Sequence, residues 1–247
     1  METRIEQKYL CNEMDYQLLK ARLAALMEMD ENTIETLDGT MGYHIRSVYF
    51  DDMYQSKFYE NEHGVDDRNK YRIRAYNNSD TALHFERKSK QNGYNHKEAF
   101  SLTPARYAEF VAEEFTFVPS EIPLENEISL QRLTSRLAPS LIVAYDREAY
   151  VNHAGNVRIT FDRNIAASHE IAGFFDPQLP LVPVLQTGQF ILEVKFDEFL
   201  PRQIEQALDI KKMQQITFSK FYMGKLVLAK QDGGYRNHPV QASFATV

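Results

Sequence analysis

The sequence has one cysteine, Cys11, and it lacks tryptophan, a long apolar run and a GxxxxGK phosphate loop. A single cysteine cannot form an internal disulfide, which fits a reducing compartment. The segment from Met1 to Lys8 is charged, so we expect no signal peptide. No stretch approaches the ~18 apolar residues of a membrane span. We therefore expect a cytoplasmic protein without a span of its own, which leaves a separate membrane protein open as a partner.

Composition and net charge exclude two further classes of protein. Hydrophobic residues make up 43% of the chain and charged residues 26%, which is typical of a globular protein and excludes disorder. The net charge of −7 argues against a nucleic-acid partner. The seven histidines lack the spacing of a metal site. The length of 247 residues suits a single domain, predicted over residues 1–230, with a polar tail over 231–247.

Alternating apolar residues and turn signals predict eight strands, at 3–10, 45–51, 70–76, 81–90, 95–102, 140–152, 156–163 and 189–197. The Asn92-Gly93 pair predicts a tight hairpin between two of them. Five helices are predicted. The first runs from a cap at Asn12 to about Met29, the next two cover 103–115 and 125–137, a short one begins at Leu200-Pro201, and the last runs from a cap at Ser219 to Lys230. Without a βαβ rhythm the sheet is antiparallel, so the fold class is α+β.

Charged residues recur at spacing two in five of these strands, which places them on one face of each strand. Examples are Arg72 and Arg74 in one strand and Glu193 and Lys195 in another. An open sheet with one solvated face is the simpler interpretation. However, the amphipathic helices can cover the apolar face from outside. We therefore predict an eight-stranded antiparallel β-barrel, a closed tunnel with flanking helices and a charged lumen.

The predicted lumen is basic although the chain is acidic. Eleven cations assigned to it face the carboxylates Glu6, Glu86, Asp162 and Glu193, which gives a net charge of +7 and leaves −14 for the rest of the chain. Arginine and lysine match phosphate oxygens, and carboxylates are ligands for Mg²⁺ or Mn²⁺. The eleven are Arg4, Lys8, Arg46, Arg72, Arg74, Lys88, Lys97, Arg147, Arg158, Lys195 and Lys220.

These strands carry, in order, motifs that resemble one known family. They are Arg4-Ile-Glu6-Gln-Lys8-Tyr9, Tyr49-Phe50-Asp51, Lys70-Tyr71-Arg72-Ile73-Arg74, Phe85-Glu86-Arg87-Lys88, Tyr145-Asp146-Arg147-Glu148-Ala149-Tyr150, Arg158-Ile-Thr-Phe-Asp162, Leu192-Glu193-Val194-Lys195 and Phe218-Ser219-Lys220-Phe221. Over residues 2 to 230 the chain resembles the VTC domain, the polyphosphate polymerase domain of the vacuolar transporter chaperone, within the triphosphate tunnel metalloenzymes. The resemblance implies an eight-stranded tunnel that transfers the γ-phosphate of ATP onto a polyphosphate chain.

The resemblance and the charge pattern together assign the site. The expected phosphate-binding residues are Lys8, Arg46, Arg72, Arg74, Lys88, Lys97, Arg147, Arg158, Lys195 and Lys220, and those closest to catalysis are Arg72, Arg74, Lys88, Arg158 and Glu193. Glu193 and Glu6 are the expected ligands of Mn²⁺ or Mg²⁺. Two positions depart from related patterns. Arg4 stands where the hydrolase branch has a glutamate, and Thr217 stands where eukaryotic VTC domains have a second lysine.

Three functions remain open at this point. The first is a metal-dependent polyphosphate polymerase whose partners are ATP and inorganic polyphosphate. The second is a hydrolase of triphosphate or nucleoside triphosphate. The third is a polyphosphate-binding module without catalysis, which would not need Glu193.

Overall fold

A computed structural model describes residues 4–35, 40–91, 94–209 and 213–233. Within these ranges the strands are β1 (Ile5–Asn12), β2 (Glu28–Met29), β3 (Ile34–Glu35), β4 (Met41–Asp51), β5 (Arg68–Tyr76), β6 (Leu83–Gln91), β7 (Tyr94–Leu102), β8 (Ala138–Asn152), β9 (Val157–Ser168), β10 (Val182–Pro183) and β11 (Gln189–Phe196). The helices are α1 (Glu13–Leu23), α2 (Ser56–Glu62), α3 (Pro104–Val111), α4 (Pro123–Thr134), α5 (Arg202–Leu208) and α6 (Lys220–Gln231).

The eight long strands form one curled antiparallel sheet in the order β1-β11-β9-β8-β4-β5-β6-β7. They correspond to the eight predicted strands, so the predicted α+β fold class is confirmed. The short strands β2, β3 and β10 add to β8, β4 and β9. The predicted turn at 92–93 lies outside the described residues, and β6 and β7 pair on either side of it with Gln91 opposite Tyr94.

Helix boundaries differ most from the predictions at α1 and α3. Asn12 caps α1 as expected, and its side chain accepts hydrogen bonds from the N–H groups of Met14 and Asp15. The helix ends at Leu23 rather than near Met29, because the chain turns there and Met29 joins the sheet opposite Tyr150. Likewise, α3 ends at Val111 rather than near residue 115. The predicted tail lies outside the described residues from residue 234 onward.

The two faces of the sheet have different chemistry. The convex face is apolar, because Ile73, Phe85 and Phe100 pack against Phe110 of α3 and Ile128 of α4. Further along the same face, α1 and α5 cover β1, β9 and β11. The concave face carries the charged residues at spacing two. Strand alternation therefore separates the core from the charges, as the sequence pattern predicts.

Helix α6 packs across part of the concave face. Phe221, Met223 and Leu226 belong to the same buried cluster as Leu141 and Val143 of β8. Ser219 caps the helix as predicted, and its hydroxyl accepts a hydrogen bond from the N–H group of Tyr222. This packing points the first turn of α6, with Lys220, toward the charged residues.

The curled sheet is a half-barrel rather than the fully closed tunnel expected from the sequence. Within the described residues, the order of long strands ends at β1 on one side and at β7 on the other, and the outer edge of β1 forms one isolated backbone bridge, from Tyr9 to Gln215. The gap near these edges is bridged by side chains, because Lys88 Nζ of β6 lies 2.8 Å from Glu6 Oε2 of β1. No helix in the described part of the chain has the length and apolarity needed to cross a membrane.

Candidate functional site

The concave face brings together nine of the ten predicted phosphate-binding residues, and carboxylates hold them in place. Each of these nine cations lies within 4 Å of a carboxylate oxygen, so repulsion between the cations is compensated. The nine are Lys8, Arg72, Arg74, Lys88, Lys97, Arg147, Arg158, Lys195 and Lys220.

Glu193 and Asp162 form the most buried cluster of this site. The guanidinium group of Arg147 donates two hydrogen bonds, of 2.6 and 2.7 Å, to the carboxylate of Asp162. Lys220 Nζ lies 2.5 Å from Asp162 Oδ2 and 2.8 Å from Glu193 Oε1. Glu193 also lies 3.1 Å from Lys195 Nζ. Two carboxylates from adjacent strands thus converge on a single ammonium group.

A second cluster surrounds Glu86, which is 2% exposed. Arg72 and Lys97 each lie 2.7 Å from its carboxylate, and Arg74 lies 3.6 Å away. Tyr49 also accepts a hydrogen bond of 3.0 Å from Arg72. These contacts therefore orient the guanidinium groups of Arg72 and Arg74 before any ligand binds.

Glu6 organises the third cluster. Its carboxylate lies 3.0 Å from Lys8 Nζ and 2.8 Å from Lys88 Nζ. Lys8 also donates a hydrogen bond to the carbonyl of Phe218, just before α6. This cluster joins β1, β6 and the segment leading into α6.

Arg158 has a partner that sequence reasoning missed. Its guanidinium lies 2.7 Å from Asp30 Oδ2, and it donates a hydrogen bond to the hydroxyl of Tyr43. Asp30 is 5% exposed and lies just after β2. It stands in no strand repeat, so the spacing that revealed the other carboxylates carries no signal for it.

The site keeps its carboxylates ionised despite burial. Burial alone would raise the pKa of Glu193, but Lys195, Lys220, Lys8 and Arg147 outweigh it and hold that pKa well below its usual range. The pKa values of Asp162, Glu86 and Glu6 are lowered in the same way, against burial, by the cations around them. Conversely, the carboxylates Asp162 and Glu193 raise the pKa of Lys220 against the effect of its burial.

The structure corrects the prediction for Arg46. This residue lies on β4 but on the convex face, and it is 2% exposed. Its guanidinium donates to the carbonyls of Phe174 at 2.9 Å and Asp176 at 2.6 Å. Arg46 thus stabilises a turn and does not join the concave site. Arg4 also lies apart, because it contacts the Asn156 carbonyl and Asp197.

Lys70 is a concave-face cation that the predicted set omits. It precedes Arg72 by two positions, so the same spacing could have identified it. It lines an open cavity of about 820 Å³ together with Glu6, Lys8, Lys88 and Ser219, which we call the basic cavity. The cavity lies between β1, β5, β6 and the ends of α2 and α6.

The carboxylates suit a divalent cation that is shared with a phosphate. Within the described residues, no group of three or more His, Cys, Asp or Glu side chains is arranged to hold a metal. Mg²⁺ in phosphate-transfer sites needs only one or two carboxylates, because phosphates and water complete its shell. Glu193 and Asp162 already converge on the positive charge of Lys220. The donor set therefore fits a metal that arrives with its substrate better than a closed protein cage.

The model of the VTC domain matches residues 3–229 of the chain. The chain belongs to the VTC domain family. This confirms the resemblance found in the strand motifs. No curated protein is significantly similar in sequence to this VTC domain.

Solved structures are similar to this VTC domain at low identity. A putative adenylate cyclase from Bacillus halodurans is 16% identical, with 88% of this chain and 94% of that chain covered and a TM-score of 0.51. A putative adenylyl cyclase from Hippeastrum, described as having a dominant triphosphatase activity, is 14% identical, with 98% and 99% covered and a TM-score of 0.47. At such identities the likeness concerns the fold, and the reaction has to be argued from the site.

Proposed function

We propose that this VTC domain transfers the γ-phosphate of ATP onto a growing chain of inorganic polyphosphate. The observation that carries the proposal is the concave face itself, where nine cations are held by carboxylates beside an open cavity of about 820 Å³. Such a surface can bind several successive phosphate units of one chain, because arginine and lysine side chains donate hydrogen bonds to phosphate oxygens.

Phosphoryl transfer depends mainly on positioning and on neutralised charge. Arg72 and Arg74 are held by Glu86, and Arg147 is held by Asp162, so their guanidinium groups have little freedom to lose on binding. Phosphate oxygens compete with these carboxylates for the same donors. A preorganised face of this kind orients a triphosphate in line with a chain end.

No side chain is required as a nucleophile under this proposal. The acceptor is the terminal phosphate of the chain, which is ionised at neutral pH and attacks the γ-phosphorus directly. The new P–O–P bond forms as the bond between the γ-phosphorus and the bridging oxygen breaks, and ADP leaves with that oxygen. Atoms and charge balance without a proton donor, since ADP departs as an anion.

Glu193, with Glu6 or Asp162, would hold Mn²⁺ or Mg²⁺ in this VTC domain. A bound divalent ion supplies positive charge to the phosphate oxygens and the leaving group. Glu193 has the central position, because Lys8, Arg147, Lys195 and Lys220 all lie within 4 Å of it. Binding of the metal there would replace lysine contacts rather than create a new charge in an apolar core.

Product analysis tests the reaction directly. The purified chain is incubated with ATP and Mn²⁺ or Mg²⁺, and the products are resolved on a polyacrylamide gel and by phosphorus NMR. We expect ADP and a ladder of polyphosphate chains, with neither formed when the metal is chelated. Release of monomeric phosphate alone would assign the chain as a hydrolase. Tight polyphosphate binding without turnover would assign it as a binding module.

Ligand binding is expected to raise thermal stability. Tripolyphosphate should bind the concave cations of the folded protein and not the unfolded chain, so at about 100 times its Kd it should add about 2.7 kcal/mol to the free energy of unfolding. That corresponds to roughly 5–11 °C in the melting temperature of a domain of this size, at about 2–4 °C per kcal/mol. The shift should shrink as salt is added. An equal shift with sulfate would contradict a site for several phosphates.

A further inference from the structure

Lys70 differs from the other lysines of the concave face in its partners. Among the described concave-face lysines, it alone has no carboxylate within 4 Å, whereas Lys8, Lys88 and Lys220 all do. Its ammonium group donates to Asn61 Oδ1 and to Ser219 Oγ, both at 2.8 Å. Both acceptors are neutral, so neither would compensate a positive charge on Lys70.

The surroundings of Lys70 are strongly positive. Burial and the neighbouring cations Lys8, Arg68, Lys88 and Arg72 together hold its pKa well below the usual range. Two carboxylates, Glu6 and Glu62, line the same cavity, and Glu6 is already paired with Lys8 and Lys88. The groups facing Lys70 are Lys8 from β1, Asn61 from α2, Arg68 and Arg72 from β5, Lys88 from β6 and Ser219 before α6.

A charged Lys70 among these cations is unfavourable in free energy unless an anion binds beside it. Clustered cations without carboxylates disfavour their own charged forms. The basic cavity gives an anion direct access to Lys70, because Lys70, Arg68 and Lys88 all line it. The N-terminus of α6, a helix of 12 residues, begins next to Ser219 and favours negative charge as well.

We propose that Lys70 is a further phosphate-binding residue of this site, held by Asn61 and Ser219 until a phosphate chain enters the basic cavity. This inference rests on the proposed function, because it names polyphosphate as the ligand. The ammonium group then exchanges two neutral acceptors for phosphate oxygens. Ser219 keeps its hydrogen bond from the N–H group of Tyr222 and continues to cap α6.

The exchange has a thermodynamic signature. Where Lys70 is neutral in the free protein and charged in the complex, binding takes up as much as one proton at this residue. The uptake appears above the pKa of Lys70 in the free protein and vanishes below it, where the residue is already charged. A lysine that only joins α2 to α6 would show no such uptake.

Titration calorimetry on the full chain tests the proposal with linear polyphosphate as the probe. Each titration is repeated in two buffers of different ionisation enthalpy, between about pH 6 and pH 9, and the dependence on buffer gives the number of protons bound. Phosphate groups of the probe titrate too, so the proton number of each variant is compared with that of the wild type. The variants are Lys70→Met, Lys70→Arg and Asn61→Ala, and the melting temperature of each is recorded.

The three variants have different expected results. Lys70→Met should weaken binding about 10- to 100-fold and remove the proton uptake of Lys70. Lys70→Arg should retain binding but also remove that uptake, because arginine stays charged at all these pH values. Asn61→Ala should retain both, since it removes only a neutral partner.

Two outcomes would overturn the proposal, and they differ from each other. If the wild-type chain binds polyphosphate and Lys70→Met binds it with the same affinity and the same proton number, Lys70 only joins the two helices. A loss of melting temperature shared by Lys70→Met and Asn61→Ala would accompany that result. If the wild-type chain binds no polyphosphate at all, the proposed function fails together with this inference.

Discussion

Arg46 and Arg72 lie on adjacent, paired strands, yet they point to opposite faces of the sheet and have opposite kinds of partner. Arg46 contacts neutral carbonyls of residues 173–176 on the convex face, and burial lowers its pKa. Burial would also lower the pKa of Arg72, but Tyr49 and Glu86 raise it well above the usual range. The two arginines have the same chemistry, and their partners decide what each can do.

These different partners make Arg46 a structural residue, whereas Arg72 can exchange its partner for a ligand. The carbonyls around Arg46 belong to the backbone of a turn, so no ligand can replace them without unfolding that turn. Glu86 holds Arg72 at an open face, where a phosphate oxygen can compete with the carboxylate. The cations of the concave clusters are therefore preorganised and can still bind a ligand, whereas Arg46 on the convex face only stabilises the fold.

Removing the central carboxylate is expected to have the largest effect. In Glu193→Gln, turnover of ATP should fall at least about 100-fold, because the metal loses a charged ligand. The Kd for tripolyphosphate should change only a few-fold, since the cations remain. Steady-state assays and calorimetry measure the two quantities. Glu125→Gln is the matched control, because Glu125 is buried in α4 against Arg106, and it should leave turnover unchanged.

Replacing an arginine of the concave face should weaken both binding and turnover. Each lost charge-assisted contact costs about 1.5–3 kcal/mol, so Arg72→Ala or Arg74→Ala should raise the Kd for tripolyphosphate about 10- to 100-fold. Calorimetry at two salt concentrations provides the measurement, and the loss should be smaller at high salt. Unchanged affinity would place Arg72 with Arg46 as a purely structural residue.

Arg46→Met is the counterpart on the convex face. It leaves the carbonyls of Phe174 and Asp176 without their donor, and we expect the free energy of unfolding to drop by about 1–3 kcal/mol. The Kd for tripolyphosphate should stay within about twofold of the wild-type value, since the folded concave face is unaltered. Urea unfolding and calorimetry test the pair of expectations. A selective loss of binding would instead place Arg46 among the phosphate-binding residues.

Acid should destabilise the concave clusters in a defined range of pH. The pKa of Glu86 is lowered in the folded protein, so its stabilising effect is complete above the ordinary carboxylate pKa and is lost as the pH falls toward the folded value. Below about pH 4.5 the unfolded chain binds more protons, and each such carboxylate contributes up to about 1.4 kcal/mol per pH unit. Urea unfolding at pH 5, 4 and 3 should therefore show a shallower decline for Glu86→Gln than for the wild type.

The sequence predicted the concave face well because strand alternation is a local property. Arg72, Arg74 and Glu193 stand at spacing two with apolar residues between them, and all three point inward. The local pattern does not reveal the orientation of Arg46, because β4 is buried on both faces and its neighbours Ile45, Ser47 and Val48 are all buried. Its carbonyl partners are about 130 residues away in sequence.

Other features depend on contacts that a single sequence does not reveal. Asp30 lies in a turn, and only the fold brings it to Arg158. The early end of α1 follows from the pairing of Met29 with Tyr150, which outweighs the helical pattern of residues 24–29. How far the sheet closes into a barrel also depends on tertiary structure, because the ion pair between Lys88 and Glu6 joins side chains that are 82 residues apart in sequence.

The position of β1 in the sheet has a consequence for how the protein is made. β1 pairs with β11 in the described sheet, and Ile5 lies opposite Phe196. At about 5–20 residues per second, a ribosome needs roughly 10–40 s to synthesise the chain between these partners. Tyr9 and Cys11, both buried in the finished protein, have no strand to pair with during that time. Nascent chains should therefore pair β1 only after β11 has been synthesised, and such non-local pairing is intrinsically slow.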